Sequence, residues 1–145
     1  MKRSRSLCGA LLIAALVVPA CKQIEETSAR SNPATIAETA QEGISSVTLT
    51  QQAVVRLGIA TVAVGQVRSA GATLKTIPYG AVIYDHAAKP WTYTNPEPLV
   101  YVRHAITIAS IDGDTVLLTE GPPAGTRVVT VGAAMLFGAE LGIGK

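Results

Sequence analysis

Cys21 stands at the end of an apolar run, and a thiol there admits four chemistries. It can be half of a disulfide, a metal ligand, a nucleophile or a point of attachment. The other residues able to do chemistry are few. His86 and His104 are the two histidines, and neither has a Cys or His partner at metal-ligand spacing. His86 falls in an expected hairpin loop and reads as a solvated turn residue. His104, beside Arg103 in an expected strand, reads as a structural or surface residue. Asp112 and Asp114 flank Gly113, but the further acidic ligands of a calcium loop are missing, and a hairpin turn accounts for them. No Gly-x-Ser-x-Gly elbow exists. Gly138, Gly142 and Gly144 lack the strand-then-helix setting of a dinucleotide loop, and Met135 alone does not make a thioether copper site. Neither catalytic residues nor a cofactor or metal site is therefore expected, and the chain reads as a non-enzyme. Trp91, Tyr93 and Tyr101 remain. Alternation puts Trp91 and Tyr93 on one face of a strand, which reads first as core or cross-strand packing and second as a ligand or partner surface.

The setting of Cys21 narrows its chemistry. Lys2, Arg3 and Arg5 open the chain, Leu7 to Val18 is apolar, and Pro19 and Ala20 precede the cysteine. A basic start, a short apolar stretch and small residues at its end describe a secretory signal over residues 1–20. The stretch falls short of the roughly 20 apolar residues of a spanning helix. Cys8 would leave with the signal, so Cys21 has no intramolecular partner and the disulfide reading falls. Of twelve basic residues, three lie in the signal; nine then face ten acidic residues, and a near-neutral chain does not offer the basic patch that nucleic acid requires.

Val18-Pro19-Ala20-Cys21 resembles the lipobox of bacterial lipoproteins, with Val18 where Leu is commoner. The resemblance implies that Cys21 receives a diacylglycerol, that cleavage occurs before it, and that the new amino terminus is acylated. The expected location is the cell envelope, anchored by lipid and facing the periplasm. Lys22 permits export to the outer membrane, since in well-studied sorting an Asp at that place retains a lipoprotein at the inner one.

The elements that follow read as one small β domain. Residues 21–43 are rich in Ser, Thr, Ala and Glu, the composition of a disordered linker, with at most a short helix around Ile36 to Gln41. As a flexible coil this segment would span on the order of 25 Å root-mean-square. From Ile44 the texture changes. Val47 and Leu49 alternate as in a half-buried strand; Thr50 can cap a helix carrying Val54 and Leu57, and Gly58 can end it. Ile59–Val67 returns to period two, and residues 68–75 read as a loop or a weak edge strand. The stretches at 79–85 and 90–94 read as a hairpin joined by Asp85 to Lys89. Residues 95–98, with two prolines, mark a turn, and the long stretch from Leu99 to Ile111 bends near His104. Asp112-Gly113-Asp114-Thr115 is the strongest turn signal. Two more strands, 115–120 and 126–132, close the series, and residues 133–141 form a short helix or final turn. The expected fold of 44–145 is all-β, a small antiparallel barrel or roll with one short helix.

Three stretches carry a second resemblance: "VTLTQQAVVRLGIATVAV", "TIPYGAVIYDHAAKPWTYT" and "VRHAITIASIDGDTVLLTEGPPAGTRVVTVGAAML". In this order they resemble the periplasmic adaptor subunits, or membrane fusion proteins, of RND-type efflux pumps. In the third stretch Gly121, Pro122, Pro123, Ala124, Gly125, Val128, Val129 and Gly132 fill the places of that family's closing motif, with Pro122 where Leu is usual. The family inserts a barrel domain, a lipoyl-like domain and a helical hairpin between its opening and closing strands. Here only the residues from Val67 to Pro78 stand there, so the chain resembles the membrane-proximal domain alone. The resemblance implies contact with an inner-membrane transporter or a full-length adaptor. The alternative is a stand-alone lipoprotein that binds a small ligand or a wall component; a deep aromatic-lined pocket near Trp91 would favour it.

Overall fold

Alternation of inward and outward side chains builds most of this molecule, as the computed structural model describes it for residues 32–69 and 71–143. The signal, Cys21 and the linker up to Ser31 lie outside the described residues. The strands are β1 (Ala34–Glu38), β2 (Ser45–Leu49), β3 (Ala60–Ala63), β4 (Gly65–Ser69), β5 (Ala72–Pro78), β6 (Ile83–Tyr84), β7 (Pro90–Glu97), β8 (Val100–Ala105), β9 (Thr107–Asp112), β10 (Thr115–Glu120) and β11 (Arg127–Val131). Two helices, α1 (Gln51–Leu57) and α2 (Ala133–Glu140), and a 3-10 turn at Tyr79–Ala81 complete the fold.

The fold is all-β and antiparallel, but it is not a closed barrel. One sheet runs β1-β2-β8-β7-β11-β3, with β6 also paired to β7; the other runs β4-β5-β10-β9. Among the described residues β1 and β3 end the path of the first sheet and β4 and β9 end the second, and the chain passes from one sheet to the other at two corners. Val64 separates β3 from β4, and Ile106 separates β8 from β9. Both residues are buried in the core that the two sheets share. Ile59–Val67 is accordingly two strands in two sheets, and the expected bend near His104 falls two residues on, at Ile106.

Three further expectations are corrected. Residues 34–38 belong to the folded domain and not to a linker or helix: β1 pairs with β2 from Ala34↔Leu49 to Glu38↔Ser45, and Ala34 and Ile36 pack on the core. Within 68–75, Arg68 and Ser69 end β4, a sheet edge as one reading had it, whereas Ala72–Lys75 belong to β5, an inner strand, and the two pair from Gly65↔Thr76 to Ser69↔Ala72. Of the expected strand 79–85, residues 79–81 form the 3-10 turn and only Ile83–Tyr84 pair as β6, while residues 133–140 take the helical alternative, which gives two helices. At 95–98 the turn comes later than its prolines suggest. Asn95, Pro96 and Glu97 end β7, and the ladder to β8 slips between Thr94 and Glu97, where a residue without an N–H is tolerated.

The first sheet is covered on both faces. Successive residues Val128 and Val129 point to opposite sides of β11, and both are wholly buried. Val129 joins Val47, Leu49, Tyr93, Tyr101, Ala53 of α1 and Leu136 of α2 in one core. Val128 joins Ile77, Val116 and Leu118 of the second sheet in the other. The helices are seated by their ends. Thr50 Oγ1 accepts the Ala53 N–H at 3.2 Å, and Gly58 takes the left-handed conformation that closes α1. Gly132, at φ 89°, lets α2 start against Ile59, whose Cδ1 would lie 2.3 Å from any added Cβ.

Candidate functional site

The residues singled out from the sequence do not converge. His86 is exposed in the 85–89 loop, which Asp85 organises: Oδ1 accepts the N–H groups of Lys89 at 2.9 Å and Ala87 at 2.8 Å. The Lys89 amide, with help from the indole of Trp91, holds the Asp85 carboxyl below its ordinary pKa. His104 is exposed on β8, its Nδ1 2.8 Å from the Ala105 carbonyl. Asp112 and Asp114 are exposed in the β9–β10 turn. Gly138 lies within α2 and Gly142 follows its end at φ 74°; neither forms a phosphate loop. Among the described residues, no group of three His, Cys, Asp or Glu is placed to hold a metal ion.

Trp91, Tyr93 and Tyr101 do come together, but as core. Tyr93 and Tyr101 are 0 % and 3 % exposed and cannot form a partner surface, which corrects that reading; Trp91 is half-buried beside them. Its Nε1–H donates to Asp85 Oδ2 at 3.0 Å.

Around these aromatics lies a polar cluster that sequence reasoning missed. Arg103 of β8 sits opposite Tyr93 of β7 in the ladder, and Glu140 is the last residue of α2. Their side chains are 10 % and 4 % exposed, and Arg103 Nη2 lies 3.1 Å from Glu140 Oε1. The same Nη2 donates to the Gly43 carbonyl at 2.9 Å. Glu140 Oε1 also accepts the Ser45 N–H at 3.3 Å, and Oε2 accepts the hydroxyl of Tyr93. The guanidinium lies over the Trp91 ring, 4.4 Å from its centroid, with the Phe137 ring at 5.4 Å. A carboxylate at a helix C-terminus opposes the helix dipole. Here the buried cation offsets that cost, and the pair ties α2, β7, β8 and the β1–β2 turn into one unit. Burial first, then the bond to Glu140, pushes the Tyr93 hydroxyl far above its ordinary pKa, so it stays a donor. Tyr101 is raised by burial alone.

Glu140 accepts from a cation and an amide at Oε1 and from a hydroxyl at Oε2, so three of its roughly four acceptor positions hold the cluster together. Two buried side-chain polar atoms of the described residues lack a partner, Thr92 Oγ1 and Arg103 Nε. Beside the cluster, Gln41, Glu42, Ile44, Trp91, His104 and Ala105 line a cleft of about 380 Å³ that opens to solvent. A second cleft, of about 550 Å³, runs between Asn32–Ile36 and the residues Ala139 and Ile143. No helix of the described residues is long and apolar enough to cross a membrane. Comparison with protein-family models, curated proteins and solved structures finds no match to this chain.

Proposed function

We propose that this chain is a non-enzymatic envelope lipoprotein, anchored through acylated Cys21, whose β domain docks on an efflux transporter or on a full-length adaptor of the RND type. One observation carries the reading: the lipobox precedes three adaptor-like stretches that occur in the family's order. The β4–β5 hairpin supports it, because a short hairpin occupies the place where the family inserts its further domains. Attachment by several acyl chains suits a protein that works at a bilayer, since one chain binds only reversibly. The Arg103–Glu140 pair is engaged in packing, which is compatible with a domain that works through surface contacts. The cleft at Trp91 is open and has a single aromatic in its wall, which does not favour the ligand-binding alternative. An adaptor role calls for the inner membrane, whereas Lys22 permits export. Crosslinking the intact lipoprotein in cells tests the reading. Capture of a transporter or adaptor subunit supports it; capture of wall polymer alone overturns it.

A further inference from the structure

We infer that the outer edge of β3 docks an extended protein segment that carries a carboxylate, with Arg127 as the residue that receives it. β3 ends the path of the first sheet among the described residues, so one row of its backbone N–H and C=O groups has no strand beside it. The edge is five residues long. Val64 continues the ladder, its N–H donating to the Thr126 carbonyl at 2.8 Å and its carbonyl accepting the Gly125 N–H at 2.9 Å. Sheet edges are commonly guarded by charged side chains or proline. Ile59 to Gly65 contains neither. The other terminal strands are guarded: β1 follows Pro33 and ends in Glu38, β4 carries Arg68, and β9 ends in Asp112.

Arg127 gives this edge its selectivity. It stands opposite Ala63, yet its Nε donates to Thr61 Oγ1 at 3.0 Å and its Nη2 to the same oxygen, so the guanidinium lies across β3. The end of the fork, Nη1 with the second N–H of Nη2, has no partner among the described residues. Those donors can grip a carboxylate by two parallel bonds. No carboxylate lies on either strand here, over residues 59–65 or 125–132. Glu97, on β7 at the far side of β11, makes no ion pair with Arg127. A strand added to β3 would lie about 4.8 Å away and put alternate side chains on the face of Thr61 and Arg127. An Asp or Glu opposite Thr61 then meets the open fork while the backbone extends the ladder. A second copy of this chain suits the edge less well, because pairing β3 with itself brings two Arg127 side chains to one seam. The inference depends on neither Cys21 nor the proposed transporter contact.

The test is an NMR titration of the isotopically labelled full chain with acetyl-Thr-Val-Glu-Val-Thr-amide, and with the same peptide carrying Gln or Lys in place of Glu. The expected result is shift changes at the amides of residues 60–64 and at the Arg127 side chain. The Glu peptide should bind several-fold more tightly than the Gln peptide, and the Lys peptide most weakly. Arg127 is exposed, so Arg127→Gln leaves folding intact; it should abolish the preference and keep weak binding of all three peptides. No shift along β3 at millimolar peptide, equal binding of the three peptides, or shifts confined to another edge overturns the inference. None of these outcomes touches the crosslinking test of the transporter contact.

Discussion

The Arg103–Glu140 pair makes residue-level predictions whose magnitudes differ by chemistry. Glu140→Gln leaves a buried guanidinium without its counter-charge, and removing one partner of a buried pair costs about 3–5 kcal/mol. Urea denaturation should show that loss. Tyr93→Phe removes a hydroxyl bonded to a carboxylate and should cost about 1.5–3 kcal/mol. The sign with pH is fixed. The Tyr93 pKa is raised in the folded chain, so the folded state holds a proton that the unfolded state releases above pH 10.0. Stability should be unaffected by this group below that pH and fall above it, and Tyr93→Phe should reduce the fall, leaving the part due to Tyr101. Thr92→Val acts in the opposite direction: it replaces a wholly buried, unpartnered hydroxyl by a methyl and should stabilise by about 1 kcal/mol. The sequence held a sign of this cluster. Period two places Arg103 on the inward face with Tyr101, an unusual position for an unpaired cation. Its partner could not be read, because Glu140 is 37 residues away and meets it only through the docking of α2.

At the scale of elements, what is local was legible and what depends on a distant partner was not. The Thr50 cap, the Gly58 stop, the five-residue loop at 85–89 and the Asp112–Thr115 turn are determined within a few residues, and the structure has them all. β1 was hidden because Ala34–Glu38 carries a single large apolar residue, Ile36, and becomes a strand only by pairing with β2. The passages of β3 to β4 and β8 to β9 between sheets were hidden for a similar reason: residue types that suit a strand run on through each corner, while the inward phase shifts there, from Arg103 to Ile106 in the second, because the neighbours change. Two predictions belong here. Thr50→Ala should cost about 1 kcal/mol through loss of the cap. Gly132→Ala should cost more, since a Cβ would meet Ile59 and the backbone is left-handed there; thermal melting of both variants ranks them.

The molecule as a whole is two antiparallel sheets joined by strands that run between them, with two helices over the larger sheet. Its polar cluster is consumed in holding that arrangement, so the proposed work falls to exposed edges and ends. The incorporation of β1 shortens the stretch between Cys21 and the fold, and this keeps the proposed domain close to its anchor. The most direct measurement is the intact mass of the protein extracted from cell envelopes. The account predicts a chain beginning at Cys21 that carries a thioether-linked diacylglycerol and an acylated amino terminus. A water-soluble product with a free Cys21 thiol would contradict it.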